Sequence, residues 1–445
     1  MTNIKMLALL GASVAALAAV GSTAAGAAQA AQGAQARPAP SQAGPRSVAT
    51  PEAPVPGNPD FKGEDGAKAA VPAPLPPAIW DPVSVQDLIY FIRQVGAEGL
   101  EPGFYDPEGL EAALRTGNPA FYSAAATDRF NELASDLALG HIRKAARIDW
   151  HIVDKDLDNA ARDTLLRTAL ARRGIAGALS GLLPTHPQYA ALKTSLQLTP
   201  EADKAKRDRI RLNMDRWRWL PRDLGNKYII VNVPGFHATL VENGVNRWKH
   251  KAIAGATKTP TPQLSAMAVG VMLNPWWEVP PSITREVAGK KGFVKSSDGS
   301  RWRQPPGPSN ALGEMKFVMY NPHNIYLHDT NARSRFSSRM RALSHGCIRT
   351  EDIHDLAMEL LADDGGEWTP DKVQAQIASG KTKQVNFVKP VPVYIVYFSA
   401  AALNDGQIVD YQDLYSRDGK AMAALYARDG GAAKPKAPAP KVASR

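Results

Sequence analysis

The residues most able to do chemistry lie close together: His328-Asp329-Thr330, a polar loop rich in Ser and Arg, then Ser344-His345-Gly346-Cys347-Ile348-Arg349. Cys347 is the one cysteine of the chain. It can close no internal disulfide, and its histidine and arginine neighbours favour the thiolate, the reactive form. Three readings compete. As a nucleophile, Cys347 would give its proton to a histidine while backbone N–H groups of the Gly346-Cys347 turn form an oxyanion hole, as acyl transfer requires. Gly346 suits this role, because a residue without a side chain lets a substrate carbonyl approach and tolerates a positive φ. As a zinc site, His323, His328, His345 and Cys347 offer acceptable ligand types. Yet one residue separates His345 from Cys347, tighter than the usual knuckle, and no second short-spaced pair accompanies them. As an inert core residue, Cys347 would need apolar neighbours, and it has Ser, His, Gly and Arg. Chemistry alone therefore points to a cysteine acyltransferase or hydrolase.

The surrounding elements set where this stretch should sit. After Cys347 a helix is expected, with Thr350 as cap, Ile353, Leu356, Ala357, Leu360 and Leu361 at helical spacing, and a stop at Gly365-Gly366. Cys347 would then precede a helix N-terminus, whose free N–H groups and dipole stabilise a thiolate and a developing oxyanion. Upstream, residues 227–233, 237–242 and 245–254 are short β-rich runs, and Asn243-Gly244 is a two-residue hairpin signal. Further strands are expected over 316–320, 324–328 and 392–398. Between them, 257–308 is a Pro- and Trp-rich insertion containing Asn274-Pro275-Trp276-Trp277-Glu278-Val279-Pro280-Pro281, read as a lid or substrate groove.

The first half of the ordered chain reads as helical. Ser84-x-x-Asp87 resembles a capping box ahead of Leu88, Phe91, Ile92 and Val95 on one helix face; further helical patterns cover 128–140, 158–173 and 188–196. His141, His151 and His186 read as surface or capping residues. A basic amphipathic helix over 205–220, with Ile210, Met214 and Trp217 on one face, reads as a solvated connector. The fold class is thus α+β: a mostly β catalytic domain preceded by an all-α domain.

The 445 residues exceed what one core usually supports, so two folded units with tails are expected. Lys5, the apolar run 6–20 and Ala28-Gln29-Ala30 form a signal-peptide pattern over 1–30, which implies export to the periplasm or cell envelope. Residues 31–78 are an Ala/Pro-rich linker and 427–445 a tail expected to be disordered. The domain plan is then a helical domain over 79–200, a connecting helix in 201–224, a catalytic domain over 225–400 and a C-terminal segment over 401–426. A net charge of +10 suits a polyanionic partner weakly; no basic block interleaved with aromatics suggests a nucleic-acid platform.

The order His328, then Ser344-His345-Gly346-Cys347-Ile348-Arg349, resembles the signature of the L,D-transpeptidases, the YkuD-type catalytic domain that cross-links peptidoglycan. Arg216-Trp217-Arg218-Trp219-Leu220-Pro221, Thr259-Pro260-Thr261-Pro262 and Leu273-Asn274-Pro275-Trp276-Trp277-Glu278-Val279-Pro280 are similar to segments of the YcbB-like branch, in which a helical scaffold precedes a β-sandwich or barrel. No peptidoglycan-binding module, frequent in that branch, separates Leu198 from the Arg-rich helix. The resemblance implies Cys347 as nucleophile and His328 as its base or thiolate partner, with Tyr326, Ser344, His345, Gly346 and Arg349 shaping the donor site and Trp276 and Trp277 beside it. It implies no metal or organic cofactor, stem peptides as donor and acceptor, other wall-synthesis proteins as possible partners, and acylation of Cys347 by carbapenems. An L,D-carboxypeptidase and a non-catalytic wall-binding scaffold are the alternatives. Which group orients His328 stays open among a backbone carbonyl, Asp329 and Thr330.

Overall fold

A computed structural model describes residues 76–153, 156–362, 365, 367–403 and 407–432. The signal pattern, nearly all of the linker and the tail from 433 onward lie outside the described residues. Among the described residues no helix is long and apolar enough to cross a membrane.

Five helices open the described chain: α1 (Pro82–Gln94), α2 (Pro107–Arg115), α3 (Pro119–Leu139), α4 (Asn159–Arg172) and α5 (Ile175–Ser180). Proline at the first helical position and an Asx cap start three of them; Asp81, Asp106 and Asn118 accept backbone N–H groups of α1, α2 and α3. The expected cap at Ser84 is therefore displaced to Asp81, and Ser84 donates its hydroxyl to Asp81 at 2.7 Å. Leu88, Ile92, Phe130, Leu133 and Leu137 meet in one core, and burying each such side chain contributes roughly 1.5–3 kcal/mol.

Two further helices, α6 (Pro187–Leu198) and α7 (Lys204–Trp217), lead into the β domain. The connector is not solvated. Arg216 and Arg218 are 3% and 1% exposed, and Asn213 and Asp215 are fully buried. Arg218 donates to the Tyr189 hydroxyl and the Glu98 carbonyl, and Asp215 accepts the backbone N–H groups of His141 and Ile142. The charges that made α7 look like a surface helix instead satisfy buried groups on both sides of it. One apolar core accordingly joins Ile142, Trp150 and Leu192 of the helical region, Ile210, Met214 and Trp217 of α7, and Tyr228, Tyr394 and Val396 of the β domain.

The β domain contains β1 (Lys227–Asn232), β2 (His237–Glu242), β3 (Val245–Gly255), β4 (Leu264–Leu273), β5 (Trp277–Glu278), β6 (Val294–Lys295), β7 (Trp302–Gln304), β8 (Met315–Met319), β9 (Leu327–His328), β10 (Ala342–Ser344), β11 (Ile348–Thr350), β12 (Lys383–Val396), β13 (Ala400–Ala402) and β14 (Ile408–Asp410). The order β3-β11-β9-β8-β4-β12-β1-β2 closes through a β2–β3 pairing, with β10 beside the end of β3. Closure leaves no long free edge. Asn243 and Gly244 both take positive φ, the hairpin geometry their sequence implies.

Four expectations are corrected. Residues 264–273, assigned to the irregular insertion, form β4 in the barrel wall; the run lacks β-branched residues except Val269 and Val271, and Gly270 serves close strand contact, since a Cβ there would lie 2.3 Å from the Val385 carbonyl. Cys347 is not followed directly by a helix. β11 intervenes with Thr350 inside it, and the helix α9 (Ile353–Ala362) begins later. Residues 427–432, placed in the tail, dock onto the helical region: the Arg143 N–H donates to the Gly430 carbonyl at 2.8 Å. His141 is buried, not a surface residue. The remaining helices are α8 (Thr284–Val287), α10 (Pro370–Ala378) and α11 (Asp418–Leu425).

Candidate active site

Three adjacent strands build the site. The register places Lys316 of β8 opposite His328 of β9, and His328 opposite Arg349 of β11. Residues paired across a sheet share a face. Phe317, Leu327 and Ile348, which alternate with them, fill the barrel core. Lys316, His328 and Arg349 therefore form one row on the outer face. Tyr326, two positions before His328, joins that face; Cys347, just ahead of β11, packs partly against the barrel core and feels the charges of Lys316 and Arg349. The Tyr326 ring lies 5.6 Å from the His328 ring, and Lys316 Nζ lies 4.9 Å from the Tyr326 ring centroid.

His328 is buried and its Nδ1 donates to the Asp329 backbone carbonyl at 2.5 Å. A carbonyl only accepts, so the proton is assigned to Nδ1 and Nε2 keeps its lone pair. Of the three candidates for orienting His328, the backbone carbonyl is the one in contact. Asp329 is itself fixed, its carboxylate accepting from the Glu314 N–H and from Arg333, each at 2.9 Å. Burial, then the Arg349 charge, pushes the His328 pKa down to about 3, so the imidazole is neutral near pH 7.

Cys347 is half-buried and its Sγ donates to the Asn324 carbonyl at 3.6 Å. Burial raises its pKa; the Tyr326 N–H and hydroxyl and the charges of Lys316 and Arg349 oppose that rise without cancelling it. A resting thiolate, expected from sequence neighbours and a helix dipole, is thus replaced by a thiol, because a dipole acts only within the first turn and β11 stands between.

The turn before Cys347 is braced from behind. Gly346 takes φ +116° and its N–H donates to Ser344 Oγ at 3.1 Å, so that N–H is engaged and the expected oxyanion role does not fit it. Ser344 Oγ donates to the Cys347 carbonyl at 2.6 Å, and Thr261 Oγ1 donates to the Gly346 carbonyl at 2.7 Å. Ser344 is therefore a turn brace rather than a donor-site wall. His345 turns away to Glu286 of α8, 3.4 Å from its Nε2. His323 packs against His151 at a tilt of 45°, ring centroids 4.0 Å apart. With these two imidazoles committed elsewhere, the four candidate zinc ligands do not converge.

Residues 274–308 form a small sheet, β5-β7-β6, over a core of Val279, Ile283 and Val287. From it Trp277 hydrogen-bonds the Tyr326 hydroxyl, while Trp276 lies under the Arg303 guanidinium, 4.5 Å from its ring. Arg349 has a buried Nε with no hydrogen-bond partner. Sequence reasoning missed Lys316, Asn324 and Thr261. Alternation along β8 could have placed Lys316 opposite Phe317; nothing local points to the other two. Among the described residues two groups could hold a cation, His250 with Glu351 and Asp352, and Glu314 with Asp329 and His354; in the second, Arg333 already pairs with both carboxylates.

Residues 226–383 match the family model described as the L,D-transpeptidase catalytic domain, and residues 77–196 match the model described as a scaffold domain. A protein from Haemophilus influenzae, provisionally named an L,D-transpeptidase, is 30% identical over 240 residues, 47% of this chain and 48% of that protein. The chain thus spans about half the length of the curated relative it matches. Solved structures include an L,D-transpeptidase from Mycobacterium smegmatis (16% identity, 38% of this chain, 58% of that one, TM-score 0.22). Another is the catalytic domain of the E. faecium enzyme acylated by ertapenem (14%, 39% and 99%, TM-score 0.22). A third is L,D-transpeptidase 3 from Mycobacterium tuberculosis with a faropenem-derived adduct (12%, 38% and 60%, TM-score 0.21). Likenesses at these scores add no weight to the family matches.

Proposed function

We propose, from the premise that this chain carries an L,D-transpeptidase catalytic domain on a scaffold domain, that it is an exported, cell-envelope enzyme that forms 3→3 cross-links in peptidoglycan. The observation that carries the reading is the outer-face row of Lys316, His328 and Arg349 across β8, β9 and β11, in which His328 holds its proton on Nδ1 and Arg349 Nε has no partner, on the strands that flank Cys347.

In this mechanism Nε2 of His328 takes the Cys347 proton as sulfur attacks the carbonyl joining the third and fourth residues of a tetrapeptide stem. The C–N bond breaks, the D-alanine amine leaves with the proton from Nε2, and a thioester remains on Cys347. The side-chain amine of a second stem then attacks the thioester, giving its proton to His328, and the thiol is restored. Arg349 holds a stem carboxylate bidentately. The Tyr326 hydroxyl, fixed by Trp277, is the donor placed to meet the oxyanion in place of the engaged Gly346 N–H. No step calls for a metal or organic cofactor.

Incubation with a disaccharide-tetrapeptide is expected to yield free D-alanine and a cross-linked dimer by mass spectrometry, and Cys347→Ala neither. Tripeptide without dimer would establish the carboxypeptidase instead. Meropenem should add its mass once per wild-type chain and not to Cys347→Ala; an unmodified wild type would remove Cys347 as nucleophile and leave a wall-binding scaffold.

A further inference from the structure

The row across β8, β9 and β11 has a third member that the mechanism above does not use. Lys316 pairs in register with His328, its Nζ rests over the Tyr326 ring at 4.9 Å, and the Tyr326 hydroxyl acts on the Cys347 sulfur. The resting site has no helix dipole and no imidazolium to favour a thiolate, so before proton transfer the groups that favour charge on sulfur include the fixed cations Lys316 and Arg349. We propose that Lys316 is a positioning residue for the acyl transfer: it holds the Tyr326 ring by a cation–π contact and supplies the positive charge against which the Cys347 thiolate forms. The inference rests on the reading of Cys347 as nucleophile.

The geometry explains why lysine suits the place. A flexible stem carries the compact ammonium onto the aromatic face, 4.9 Å from the ring centroid, from where its charge acts on Cys347. Burial lowers the Lys316 pKa, while Cys347 and Glu278 work to keep it charged. The charged and titratable groups facing this region are Lys316 from β8, Tyr326, His328 and Asp329 from β9 and its continuation, Arg349 from β11, Glu278 from β5 and Arg335 from the turn Arg333–Ser337. Arg349 also favours the thiolate but is assigned to the substrate carboxylate. Once that carboxylate is bound, Lys316 is the fixed cation left to act on sulfur, beside the imidazolium that forms on His328 during the proton transfer.

Because the chain has one cysteine, the pH dependence of iodoacetamide alkylation reports Cys347 alone. Lys316→Met is expected to move the alkylation midpoint upward by roughly one pH unit and to slow meropenem acylation at neutral pH about tenfold. Lys316→Arg should restore most of both, since it keeps charge and cation–π contact. A midpoint in folded Lys316→Met equal to the wild type, or Lys316→Arg behaving like Lys316→Met, would overturn the proposal. Absence of a meropenem adduct on the wild type would instead count against the nucleophile itself, so the two failures are distinguishable.

Discussion

Cys347 and His328 are each neutral at rest, and this shapes the expected pH response. A free imidazole near pKa 6.5 would impose an acid limb on acylation around that pH. Burial and the Arg349 charge place His328 at about 3, so meropenem acylation should stay level from about pH 7 down to about pH 5; stopped-flow rates across that range check it, and a tenfold fall centred near 6.5 would show a solvated base. Replacing the base by His328→Gln should cost roughly 10²–10⁴ in acylation rate. The same neutrality affects stability. The folded pKa lies below the unfolded one, so His328 makes no demand above about pH 6.5 and costs folding free energy as pH falls from there toward 3.

At the scale of elements, the decisive device is the loop after β3. Thr261 Oγ1 accepts the Gly255 N–H at 2.9 Å and donates to the Gly346 carbonyl at 2.7 Å, and Thr259 Oγ1 donates to the Ser344 carbonyl at 3.1 Å. Gly255 is required there, because a Cβ would meet the Thr259 carbonyl at 2.2 Å. Thr261→Val keeps the shape and removes both bonds, leaving a buried N–H and carbonyl unsatisfied. It should lower stability by about 1–3 kcal/mol by denaturant unfolding. Acylation should fall further than the lost stability explains, since the turn presenting Cys347 loses its brace; a variant equally unstable but fully acylated would make Thr261 structural only.

At the scale of the whole molecule, the helical and β regions are coupled through buried polar groups. Arg417 donates to Asp149 at 2.5 Å and to the Thr261 carbonyl at 3.1 Å, so a residue near the chain end ties the helical region to the loop that braces Cys347. His141 does the same for residues 427–432: Nδ1 meets Asp136 at 2.7 Å and Nε2 the Ala427 carbonyl at 2.8 Å. Both partners only accept, so the ring is an imidazolium. Burial alone would lower its pKa, but the Asp136 hydrogen bond and charge outweigh that and raise it. A raised folded pKa contributes stability that is complete below about pH 6.5 and is lost as pH rises through the folded value. His141→Gln should therefore destabilise by about 1.5–3 kcal/mol at about pH 6 and by less at about pH 9, measured by thermal unfolding; a pH-independent difference would mean a neutral ring.

The sequence by itself determined the reactive stretch, the α+β division and the hairpin at Asn243-Gly244, because these depend on residue type and short-range period. Cys347 stood out by residue type, whereas His328 was singled out as its partner only by resemblance to a family signature. The sequence did not place Lys316 beside them, brace the turn through Thr261, or show that α7 is buried, since each depends on partners far along the chain. The largest reversal concerns the thiol. Local neighbours and an expected helix argued for a thiolate, whereas the tertiary structure inserts β11, half-buries Cys347 and turns His345 toward Glu286. Charge state is set by the dielectric and the cations that packing brings together, and strand register, not sequence distance, selected Lys316, His328 and Arg349 as that company.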